Sequence, residues 1–161
     1  MTDIHFINNY YTALIASLAS AGFNIKKLLL VRSESELVLD VKDIPAGEFF
    51  MAVVIPSSDT KAENIDNIKE MEPWLIYLLE KTDRKAITQA TRLTSVAKQQ
   101  QILRRIKEFM RADMYDGTIP CKIRPDLNSM HTDPEENFIG CEGYSLSFKV
   151  VSDDFFTTTN S

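Results

Sequence analysis

Residues 138–151 read FIGCEGYSLSFKVV, and this stretch decides the fold. Tyr144, Leu146, Phe148 and Val150 alternate with Ser145, Ser147 and Lys149. A two-residue period marks a strand with one dry face and one wet face. The strand comes late in the chain, so the sheet it joins closes only after nearly all of the other residues have been made. Just before it, Ile139 and Cys141 are apolar at odd positions, so the register flips across Gly140-Cys141-Glu142-Gly143. A β-bulge produces such a flip, and a tight turn at the same place is the competing reading.

Working backwards, Ala86 to Asp113 predicts a long helix. Leu93, Val96, Ala97, Leu103, Ile106 and Met110 fall on one face, widened by Ile102 and Phe109. Arg92, Lys98, Arg104, Arg105, Lys107 and Arg111 give the helix a basic side. Near the start, Ile4, Ile7, Tyr11, Leu14, Ile15 and Leu18 predict a first helix, capped by Thr2 or Asp3 and ended by Gly22.

Between the helices, Ile25–Arg32, Leu37–Lys42 and Phe49–Ile55 read as strands joined by short links, which predicts an antiparallel meander. Pro73–Leu79 reads as a strand in preference to a helix, because Trp, Ile and Tyr favour sheets. Ser57–Lys69 and Pro125–Asn137 read as polar loops. Asp116-Gly117 reads as a turn into a short strand, Thr118–Arg124. The expected fold is α+β: a mainly antiparallel sheet of about five to six strands packed by an N-terminal helix and a long central helix. Residues 1–152 form one domain in this reading, and residues 153–161 a tail in which Phe155 and Phe156 await a surface.

Composition narrows the functions. The 161 residues are 44% apolar and 25% charged, with a net charge of −5. This argues against non-specific binding along a duplex, which needs a positive surface. Cys121 and Cys141 are too few for a disulfide framework and are expected to be reduced thiols. The first residues lack a basic n-region and are not expected to be a secretory signal. Phosphate-loop, dinucleotide, GxSxG, HExxH and CxxC patterns do not occur in the sequence. No catalytic residue, cofactor or metal is therefore assigned.

Two constellations remain. His131 sits among Asp133, Glu135 and Glu136, where a hard cation or proton transfer is conceivable, although an acidic solvated loop is the simpler reading. The basic side of the long helix could meet nucleic acid, but no aromatic residues interleave it for stacking. An acidic surface on a neighbouring subunit suits it better, with Glu63–Asp66 and Asp133–Glu136 as candidates.

The order of elements, with PWLIYLLEKTD at residues 73–83 and GCEGYSLSFKVV at residues 140–151, resembles the small tail-completion and tail-terminator (neck) proteins of tailed bacteriophages and prophages. The resemblance implies a non-enzymatic subunit that caps or joins the tail tube, found in the virion or otherwise in the cytoplasm. It implies contacts with copies of itself, as in a six-membered ring, and with other tail or neck proteins, but none with membrane. The residues expected to make them are Arg104, Arg105, Lys107, Arg111, Asp59, Lys61, Glu63, Phe155 and Phe156. The competing functions are a small enzyme using the His131 segment and a binding module using the basic helix face.

Overall fold

The computed structural model describes residues 2–57, 59–62, 68–83, 85–116 and 123–152. Helix α1 (Ile4–Ser20) begins at Asp3, whose carboxylate accepts from the backbone N–H groups of His5 and Phe6. It ends at Gly22, which adopts the positive φ of 87° that closes a helix. Ile7, Tyr11, Leu14 and Leu18 are buried, one residue per turn along a single stripe.

The segment after α1 corrects the expected meander. Strand β1 (Lys27–Val31) is followed by helix α2 (Glu34–Val41), not a strand, and then by β2 (Phe49–Val54). Because a helix intervenes, β2 returns parallel to β1, pairing Leu29 with Ala52. The alternation at residues 37–42 is outweighed by local capping. The Ser33 hydroxyl accepts from the Glu36 N–H, while the Glu36 carboxylate takes the Arg32 N–H at 2.7 Å. Leu37 and Val41, four apart, are buried, while Leu39 points outward at 63% exposure.

The six-stranded sheet has the order β1-β2-β4-β6-β5. Strand β4 (Ile68–Lys81) confirms Pro73–Leu79 as sheet. Strand β3 (Asp59–Ala62) pairs with residues 68–71 of β4, on the flank where β2 ends opposite Leu75. Part of the expected 57–69 loop is therefore the two arms of a hairpin. Apart from β1–β2, the described pairings are antiparallel.

The expected loop at 125–137 is instead strand β5 (Ile123–Phe138), which pairs with β6 (Cys141–Ser152) across two register shifts. Its polar composition suits an edge strand. Pro125, Pro134 and the register shifts make β5 a poor template for a further strand. The change of parity near Gly140 is no shift within β6, which pairs with β4 in unbroken register from Cys141 to Ser152. Ile139 and Cys141 face the second core and Leu146, Phe148 and Val150 the first, and a turn stands at the start of the strand. Phe138 pairs with Cys141, and the two residues between them, Ile139 and Gly140, have φ of 55° and 70°. The late strand β6 lies between β4 and β5, so it is interior to the sheet.

Helix α3 spans Gln89–Asp116. The Thr88 hydroxyl and the Thr91 N–H cap its start at 3.2 Å. Asp116, expected in a turn, is the last residue of α3, while Gly117 and most of the strand expected at 118–124 lie outside the described residues.

Each sheet face has its own core. On one face Trp74, Ile76, Leu78, Leu146, Phe148 and Val150 meet α1 and the second half of α3. On the other, Leu29, Val31, Phe50 and Ala52 meet α2 through Leu37 and Val41. The even-numbered residues of β6 that defined the dry face of that strand all pack in the first core.

Candidate interaction site: the seam between the long helix and the sheet edge

Helix α3 does not bury the whole stripe expected of it. Ile102, Leu103, Ile106 and Met110 are buried, but Leu93 is 63% exposed and Ala97 is also exposed. The cause is polar. Gln99 is buried, and its amide donates to the Ser95 hydroxyl at 3.2 Å and the Glu142 carbonyl at 3.4 Å. Ser95 in turn donates to the Glu80 carboxylate. The first half of α3 thus docks on the sheet through hydrogen bonds, and the second half through apolar contact.

Beside α3, where β5 and β6 lie under its flank, an open seam holds two depressions. The larger, about 440 Å³, is lined by Arg104, Lys107 and Arg111 from the helix and by Thr132 and Tyr144 from the sheet. The three cations are spaced three and four residues apart, so they share one helix face. Lys107 Nζ donates to the Thr132 hydroxyl at 2.9 Å, and the Gln100 amide donates to the Tyr144 hydroxyl at 3.2 Å. Arg104 and Arg111 are exposed and make no ion pair among the described residues.

The smaller depression, about 210 Å³, continues the seam toward the start of α3. Glu135, Glu136 and Glu142 line it together with Arg92. Arg92 stands 3.6 Å from Glu142, a partly exposed pair of small energetic weight. Tyr144 lines both depressions.

Not every expected contact residue joins this seam. Arg105 turns toward Glu108 at 3.3 Å and helps line a separate hollow beside Phe23. Lys98 lies over the Phe49 ring, 5.0 Å from its centroid, and serves the packing of α3. Asp59 and Lys61 lie on β3, but their side chains are not among those described. Glu63, Phe155 and Phe156 fall outside the described residues. Cys141 is a free, buried thiol, and burial pushes its pKa up to about 11 despite the nearby Lys81. Cys121 lies outside the described residues.

The His131 segment does not converge. His131 Nε2 is 3.0 Å from Asp133 Oδ1, two residues on along β5, and both side chains are well exposed. Glu135 and Glu136 line the depression beside Arg92, which His131 does not reach. Among the described residues no group of three His, Cys, Asp or Glu side chains is placed to hold a metal ion. No described helix is long and apolar enough to cross a membrane.

Tyr144 and Thr132 could not be assigned to the site from sequence. They reach it only because β5 and β6 pair beneath α3. The arrangement brings three cations together at one end of the seam and three carboxylates at the other. Compared with known proteins, the chain matches no protein-family model and no curated protein.

Proposed function

We propose that this chain is a non-catalytic assembly subunit, of the kind that completes or terminates the tail of a tailed phage or prophage. Its work is to hold neighbouring subunits in place, first in the cytoplasm and then in the virion. The single observation that carries the reading is the cationic depression of Arg104, Lys107 and Arg111 on a chain whose net charge is −5. On a chain of net negative charge, a concave surface of opposite sign can select an acidic partner and fix its register. The long helix α3 and the late strand β6 are the second support, because both belong to the order of elements behind the resemblance, although β1-α2-β2 replaces the meander in that order.

Co-sedimentation tests this reading. Tails or virions would be produced in a host carrying either the wild-type gene or R104E/R111E. The expected result is wild-type protein in the particle pellet and the variant in the supernatant. A variant that enters particles as well as wild type would overturn the role of the groove. A wild-type protein absent from every particle fraction would overturn the assembly role.

A further inference from the structure

The two depressions of the seam have opposite charge and lie end to end. At one end are Glu135, Glu136 and Glu142 with the single cation Arg92. At the other are Arg104, Lys107 and Arg111 with the single carboxylate Glu108. Val96 and Lys107, near the two centres, are about 17 Å apart along α3 at a rise of about 1.5 Å per residue. Tyr144, which lines both, marks the midpoint, and Gln100 holds its hydroxyl there.

A surface with this pattern is complementary to itself. If a second copy is turned by half a revolution about an axis through Tyr144, its acidic end lies over the basic end of the first. Its basic end then lies over the acidic end of the first. Each contact occurs twice, as an isologous interface requires. A parallel arrangement would set like charges together and is disfavoured.

We infer that the seam is a two-fold, antiparallel contact between two copies of this chain, centred on Tyr144 and Gln100 and joined by Arg104 and Arg111 to Glu135 and Glu136 of the second copy. This rests on the assembly reading above and names the first partner; a two-fold contact makes a pair, and the head-to-tail contacts of a six-membered ring would use other surfaces of the chain. Side chains at the centre support it. Gln100 is exposed, Tyr144 is half-buried, and neither brings a charge to the axis, where it would face its own copy. The isolated chain leaves Leu93 and Ala97 uncovered on the same helix, and a helix-to-helix approach would cover part of that apolar area.

Charge swapping tests the inference on the full-length chain by sedimentation equilibrium. The wild type is expected to form dimers that come apart as salt rises, since attraction between exposed charges is screened. R104E/R111E and E135K/E136K are each expected to weaken self-association by at least about tenfold, since each would bring like charges together. Mixing the two variants is expected to restore a dimer, now of one copy of each. A wild type that stays monomeric at low salt, or a mixture that does not associate, would overturn the two-fold contact. If the wild type is monomeric while R104E/R111E is still lost from particles, only this inference falls. If dimers form but the wild type is absent from every particle fraction, the assembly reading falls instead.

Discussion

The Lys107 ammonium donates to the Thr132 hydroxyl across 2.9 Å, tying the middle of α3 to the edge strand β5. This one contact joins two segments that are otherwise linked by little packing, and it holds a cation at the floor of the seam. Thr132→Val keeps the shape and removes the acceptor. A stability loss of about 1 kcal/mol or less is expected in chemical denaturation, as for a single partly exposed hydrogen bond. Binding to particles should fall less than in R104E/R111E, because the charge remains.

Lys81 makes a second bridge, donating to the Val41 and Lys42 carbonyls at 3.1 and 3.0 Å. Those oxygens end α2, where the helix dipole favours a cation. Lys81→Met keeps the aliphatic stem and loses both bonds. It is expected to cost about 1–2 kcal/mol in denaturant titration, with α2 the first element to lose hydrogen-exchange protection.

Gly143 lies where β6 crosses β4, and a Cβ there would run into the Leu78 carbonyl oxygen. Backbone cannot move aside as a side chain can. Gly143→Ala should part the two central strands and cost more than about 3 kcal/mol, read as insoluble protein or a collapsed melting transition. Gly140, at a positive φ in the turn, has open space around its α-carbon, and its Ala variant should fold with a smaller loss.

Two buried phenols, together with the buried Cys141 thiol, are expected to weaken the fold at alkaline pH. Tyr11 is fully buried, and burial, with the neighbouring Tyr10, raises its pKa well above the ordinary value. Burial also raises that of Tyr10, assisted by the charge and hydrogen bond of Asp113. A raised folded-state pKa means that the neutral form is favoured by folding. That stabilisation is complete below the unfolded value of about 10 and is lost as pH rises above it. Unfolding free energy should therefore fall steeply above about pH 10, and Tyr11→Phe should flatten the slope. The Tyr11 hydroxyl has no hydrogen-bond partner among the described residues, so Tyr11→Phe should also raise the melting temperature near neutral pH.

Legibility in the sequence followed the range of the forces involved. Helix α1, β4 and β6 carry periodic apolar residues whose burial is set by local geometry, and their elements were readable. Residues 37–42 alternate like a strand, yet Ser33 and Glu36 cap a helix there, and the cap decides. Residues 125–137 look like a loop because they are polar, but they form a strand because β6 offers them an edge. That edge is a tertiary fact with no local signal. The basic side of α3 was visible in Arg104, Lys107 and Arg111. Its sheet wall of Thr132 and Tyr144 was not, and neither was the removal of Lys98 and Arg105 to other contacts.

The claim on which the account turns is that the seam is covered when the protein assembles. Lysine acetylation with mass-spectrometric readout measures this directly at Lys107, in the free chain diluted until it is monomeric and in assembled particles. The account predicts severalfold less modification of Lys107 in the assembly than in the free chain. Equal modification in both states would contradict it.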